Sequence, residues 1–208
     1  MRESDPTLRD TILTLARRYE FEEDHSLQDE RLALRLFDET ARVGLHRLGQ
    51  HVEQDTAIAG CSPRDILSSA AILHDIGYVD GYEQHHKTAF RLIMAEPIPG
   101  LSPHDQTLIA HVARYHRAGT PDPVKHPAFA ALPVSDRKLV EQLGSMMRFA
   151  DGLDRGHSDA IQDLRCELDG NRLIITLVPG TNDESERSAG QKKARWFESV
   201  YGVRVILE

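Results

Sequence analysis

The stretch Ala70-Ala71-Ile72-Leu73-His74-Asp75-Ile76-Gly77-Tyr78 decides how this chain reads, because it sets an imidazole beside a carboxylate inside an apolar run. Burying both groups without partners costs several kcal/mol. A divalent cation satisfies both at once, since neutral imidazole nitrogen and carboxylate oxygen together suit Mn, Fe, Mg, Ni or Zn. A His-Asp pair alone is also compatible with a histidine bonded to a nearby backbone carbonyl and an aspartate at a helix end. The surrounding elements have to decide.

Working outward, Ser62-Pro63-Arg64-Asp65 reads as a helix start with Ser62 as cap and Pro63 in the first turn. The helix it opens is expected over about Pro63 to His74, with Gly77 as its stop. Upstream, Leu8, Ile12, Leu15 and Ala16 predict a helix between Thr7 and Tyr19, and Leu27, Leu32, Leu36, Phe37, Ala41, Leu45 and Leu48 predict a long one from Ser26 to Glu53. Downstream, helices are expected from Gln84 to Ala95 and from Pro103 to His116, followed by a proline-rich loop to Pro133. A further helix, capped by Ser135-Asp136, runs to Asp151.

After Ser158 the period changes. Asp163 to Leu168 and Arg172 to Leu177 alternate or carry β-branched residues around Asp169-Gly170-Asn171, a hairpin signal. Ser185 to Tyr201 returns to helical spacing and Val203 to Leu207 closes with a strand. The fold class is therefore mainly α, with a helical domain over residues 1–160 and a small β-β-α-β appendage over 161–208.

Composition narrows the function. Twenty-five Lys and Arg stand against 33 Asp and Glu, a formal charge of −8, which argues against a partner that is a nucleic-acid polymer. Cys61 and Cys166 lie far apart in unlike contexts, so neither a disulfide framework nor a cysteine metal ribbon is suggested. No apolar run approaches a membrane span, and a soluble, cytoplasmic protein without a membrane partner is expected.

His25, His74-Asp75 and Asp151 come from different helices, the arrangement by which bundle metal centres gather ligands from facing helices. Here the sequence resembles the HD-domain metal-dependent phosphohydrolases. The likeness sharpens over five ordered stretches: Asp24-His25 before Arg31 to Asp38, then Ala71 to Gly77, His85-His86-Lys87, Ala113 to Arg117, and Phe149 to Arg155. Together they look like the C-terminal HD-type region of the exopolyphosphatase and guanosine pentaphosphate phosphohydrolase family. That family's enzymes carry an N-terminal actin-like domain holding the phosphatase site; 208 residues leave no room for it, and exopolyphosphatase activity is not expected to carry over.

The resemblance implies an HD-domain helical bundle with metal ligands at His25, His74, Asp75 and Asp151, and His86 and His116 as further candidates where related proteins bind a second ion. One or two divalent ions per chain are expected. With such an ion, a phosphoryl oxygen can be held and a water acidified. Asp75 would bridge two ions, or act as mixed ligand and base beside one, so His74 and Asp75 are the catalytic candidates. Arg117, Arg148, Arg155 and Lys87 flank the ligands and are candidate contacts for substrate phosphate. Asp154 either accepts a hydrogen bond from a ligating histidine or pairs with Arg155. His85 is expected to point elsewhere on its helix, His111 to be core or surface, and His46, His51, His104, His126 and His157 to be solvated. Lys192-Lys193 reads as a solvated face.

The function expected is a metal-dependent phosphohydrolase acting on a nucleotide or other small phosphoester. The alternative is a non-catalytic nucleotide- or polyphosphate-binding regulatory module. The C-terminal strand could also pair at a sheet edge and make a homodimer.

Overall fold

In the computed structural model, residues 7–49 and 60–208 are described. The helices in chain order are α1 (Leu8–Arg17), α2 (Glu23–Arg42), α3 (Pro63–Leu73), α4 (His85–Ala95), α5 (Pro103–Arg114), α6 (Pro127–Ala130), α7 (Val134–Leu153) and α8 (Glu184–Tyr201). A 3-10 turn, Ile76–Asp80, links α3 to α4. Three strands, β1 (Ile161–Asp169), β2 (Arg172–Pro179) and β3 (Arg204–Leu207), form one small sheet. The protein is mainly α with a small α+β part. Among the described residues no helix is long and apolar enough to cross a membrane.

Hydroxyl caps start α1, α3 and α5. Ser62 Oγ accepts from the Asp65 amide at 3.2 Å while Asp65 Oδ2 accepts from the Ser62 amide at 3.1 Å, and Thr7 and Asp10 make the same reciprocal pair. Ser102 caps α5 through the Asp105 amide at 3.0 Å. Each cap is worth about 1 kcal/mol.

Three boundaries differ from expectation, the first being the start of α2 at Glu23 rather than Ser26. α2 stops at Arg42, because Gly44 adopts a left-handed φ of +80° and the Leu45 amide donates back to the Thr40 carbonyl at 2.9 Å, closing the helix. The apolar spacing through Leu45 and Leu48 hides that stop; Glu53 and His51 lie outside the described residues. α7 begins at Val134 with Pro133 as its cap residue, so Ser135 sits inside the first turn and caps nothing. The proline-rich loop before it contains the single turn α6.

One continuous core joins the parts. Leu32 and Leu36 of α2, Ile72 and Leu73 of α3, Ile109 of α5, Met147 and Phe149 of α7, Phe197 of α8 and Leu164, Leu173 and Ile175 of the sheet are all fully buried in it. Each such side chain contributes about 2 kcal/mol of apolar transfer. β1 and β2 pair antiparallel, and β3 returns parallel to β2 after α8. The sheet is fastened to α2 by side chains: Gln28 Nε2 donates to the Ile161 carbonyl at 2.7 Å, Arg35 Nε to Asp163 at 2.7 Å, and the Cys166 amide to Glu39 at 3.0 Å.

Candidate metal centre

Five elements deliver side chains to one spot. His25 lies in the first turn of α2, with Asp29 one turn further on; His74 caps the end of α3 and Asp75 precedes the 3-10 turn; His85 opens α4, His116 follows α5, and Asp151 lies in the last turn of α7. All are buried.

The histidine rings are oriented by their outer nitrogens. Nδ1 of His74 bonds the Ala71 carbonyl at 2.7 Å, that of His85 the Tyr82 carbonyl at 2.7 Å, and that of His116 the Ala113 carbonyl at 2.8 Å. A carbonyl can only accept, so each Nδ1 carries a proton and each Nε2 is left facing inward. His25 follows the same rule with a carboxylate, Nδ1 lying 2.8 Å from Asp154 Oδ2.

Those inward nitrogens meet carboxylate oxygens and one another. Nε2 of His85 and of His116 lie 2.9 Å apart, and each is 3.3 Å from Asp75 Oδ1. On the other side, Asp75 Oδ2 is 3.2 Å from His74 Nε2 and 3.9 Å from His25 Nε2. Asp29 Oδ2 sits 3.5 Å from His74 Nε2 and 3.6 Å from His25 Nε2, and neither oxygen of Asp29 has a hydrogen-bond donor. Leaving buried acceptors facing one another costs several kcal/mol unless a positive charge stands among them. His25, Asp29, His74 and Asp151 form one group able to hold an ion, and His74, Asp75 and His116 form another.

The charges respond to this crowding. Burial opposes a proton on His74, but the charge of Asp75, the hydrogen bond to it, and the charges of Asp29 and Asp151 outweigh burial and raise His74 to about 10. Burial would raise Asp75, and His74, His116 and His85 hold it below the usual carboxylate range. Asp29 is raised, by its complete burial and by the charge of Asp151. His116 is depressed to about 3 by burial and by His74. In the protein alone, one imidazolium thus stands where the surrounding acceptors call for cationic charge.

A pit of about 40 Å³ opens onto the cluster, with Tyr78, Tyr82, Arg117, Arg155, His157 and Lys193 on its rim. Arg117 and Arg155, expected near phosphate, are there. Arg148 is not: its guanidinium turns to the Tyr115 and Gly119 carbonyls and lies 4.4 Å over the Trp196 ring, tying α7 to the end of α5. Lys87 is exposed, 3.4 Å from Gln84, and off the rim.

The histidine of α4 that enters the cluster is His85, whereas His86 was the expected one. Successive residues on a helix diverge by about 100°, so only one of the pair can face Asp75. His86 instead is half-buried beside His85 and falls to about 4 through burial and that neighbour's charge. His157, expected in solvent, stacks on His25 with ring centres 3.7 Å apart and pairs with Glu22 at 2.9 Å. His157 nonetheless stays exposed, as expected, whereas His46, also expected in solvent, is buried and bonded to the Phe37 carbonyl at 3.0 Å. Asp29 was missed although its i,i+4 spacing from His25 puts both on one helix face. Asp154 resolves to the His25 acceptor.

Gly77 lets the 3-10 turn lie directly on the start of α4. A Cβ there would come 2.0 Å from the His85 carbonyl oxygen. Gly77→Ala is expected to lower unfolding free energy by about 3 kcal/mol in a denaturant titration, and to shift the His85 ring resonances.

A family model described as Ppx/GppA phosphatase, domain III, matches residues 8–185 of the chain.

Proposed function

The chain belongs to the Ppx/GppA phosphatase, domain III, family, and from that membership and the converging donors we propose that it is an HD-type metal-dependent phosphohydrolase of small phosphoesters, nucleotides among them. The observation that carries this reading is the inward turn of four imidazole Nε2 atoms, those of His25 and His74 toward Asp29 and those of His85 and His116 toward Oδ1 of Asp75, buried carboxylate oxygens with no hydrogen-bond partner. Such a mixed nitrogen and oxygen set fits one or two divalent ions from Mn, Fe, Mg, Ni or Zn, with His25, His74, Asp75, Asp151, Asp29, His116 and His85 as the residues that would hold them.

A bound divalent ion supplies polarisation of a phosphoryl oxygen and acidifies a water at neutral pH. Asp75, with one oxygen toward His85 and His116 and the other toward His74 and His25, is placed to bridge two ions or to bind one, and to orient the attacking water. Arg117 and Arg155 hold phosphoryl oxygens from the rim. A pit of about 40 Å³ is far smaller than a typical ligand pocket of several hundred Å³, so the rest of the substrate stays at the mouth between Tyr78, Tyr82 and His157. Asp154 holds the His25 ring in register.

The test joins elemental analysis of the purified protein with a metal-supplemented screen of phosphorylated compounds. Turnover is expected in the wild type and about a thousandfold less in His74→Ala and Asp75→Ala, with folding retained. Asp154→Ala is expected to weaken Mn2+ binding by about 10- to 100-fold, read by calorimetry. Bound metal without turnover of any compound would place the protein among non-catalytic nucleotide- or polyphosphate-binding modules instead.

A further inference from the structure

Lys193 belongs to α8, beyond the stretch that the family model matches. Its Nζ pairs with Asp151 Oδ2, and its side chain also lines the pit. A lysine on a solvated helix face does neither.

The helix crossing is shaped to bring it there. α7 and α8 meet at Gly152 and Gly190: a Cβ on Gly152 would come 3.1 Å from the Gly190 Cα and 3.1 Å from the Lys193 Cβ, and one on Gly190 would come 2.5 Å from Leu153 Cδ2. The two backbones therefore approach closely one residue from Asp151, and the Lys193 stem packs over Gly152. Its charge meets a carboxylate that is also one of the four grouped donors of His25, Asp29, His74 and Asp151.

The other rim cations are differently placed. Arg117 donates to the Tyr82 and Glu83 carbonyls and lies 4.6 Å over the Tyr82 ring; Arg155 is exposed. Lys193 is the one that rests on a carboxylate an ion would claim. An ammonium on a flexible four-carbon stem can change partner without moving its helix.

We propose that Lys193 is a working residue of this site, holding Asp151 until a divalent ion takes that carboxylate and then turning its ammonium to a phosphoryl oxygen at the mouth of the pit. This rests on the reading of the cluster as a cation site. Two consequences have opposite signs. While it holds Asp151, Lys193 competes with the ion, so removing its charge tightens metal binding. Once the ion is seated, Lys193 supports the phosphate, so removing its charge weakens phosphate binding.

The experiment measures Mn2+ binding to the full chain by calorimetry, then inorganic phosphate binding to the Mn2+-loaded protein, for wild type, Lys193→Met and Lys193→Arg. Methionine keeps the stem over Gly152 without the charge, and thermal unfolding confirms that each variant is folded. The expected result for Lys193→Met is about tenfold tighter Mn2+ binding and about tenfold weaker phosphate binding, with Lys193→Arg recovering phosphate affinity. Mn2+ affinity that is unchanged or weaker in Lys193→Met overturns the proposal and leaves Lys193 as packing alone. Phosphate affinity equal to wild type overturns it as well. If neither wild type nor Lys193→Met binds Mn2+, the cation site itself is wrong, and this proposal falls with it. That pattern differs from a wild type that binds the ion and a variant that binds it no better.

Discussion

Saturation with Mn2+ at about a thousand times its dissociation constant is expected to add about 4 kcal/mol to the unfolding free energy, which for a chain of this size raises the melting midpoint by about 10 °C. Excess chelator should return it. The gain follows from where the ion would sit, because Asp29, Asp75 and Asp151 are buried around lone pairs and an ion binding only the folded chain relieves them. Asp29→Asn separates this from an incidental surface ion. Removing a buried carboxylate that already meets the Asp151 charge raises the metal-free midpoint, while the Mn2+-induced rise shrinks. A midpoint that no divalent ion moves would falsify the cation-site reading.

Metal affinity is also expected to climb with pH, about tenfold per unit from roughly pH 6 to 9, with about one proton released per ion bound. The sign comes from His74, raised to about 10 by its carboxylate neighbours despite burial. Below that value the ring carries a proton on the nitrogen an ion needs, so binding expels it, and the advantage of raising pH persists until His74 is neutral. His116, depressed to about 3, is already neutral across this range and adds no slope. Asp29, raised by burial and by Asp151, steepens the acid end. Calorimetry in buffers of different ionisation enthalpy counts the protons. Affinity that stays flat across the range means that the His74 Nε2 is not a ligand.

Much of the helical frame is legible locally. The Ser62 and Ser102 caps, the Asp169-Gly170-Asn171 hairpin and the α8 periodicity need only neighbours within a few residues, and each element appears where those signals lie. The end of α2 is a local signal misweighed: Gly44 closes the helix although Leu45 and Leu48 continue its apolar spacing. His85 and His86 are a harder case. Adjacent side chains differ only in helical phase, and the phase relative to Asp75 is set by how closely Gly77 lets the 3-10 turn approach α4.

Long charged side chains are the least legible of all. Arg148 and Lys193 carry no mark in sequence that one would serve backbone carbonyls under Trp196 and the other a buried carboxylate. Their stems reach several ångströms in any direction, so packing of remote elements selects the partner. His157 is similar, since its stacking on His25 depends on a loop residue with a φ of +50°.

By itself, the order of residues determined the mainly α class and the hairpin and returning strand, because caps and periodicity act over one or two turns of chain, while its resemblance to the HD-domain proteins nominated His25, His74, Asp75 and Asp151. Only the tertiary structure decided that Asp29 and His85 join them, that Arg148 and His86 do not, and that Lys193 reaches Asp151. Those outcomes depend on the relative rotation and spacing of helices far apart in sequence, which core packing and the close Gly152 crossing establish and no local pattern encodes.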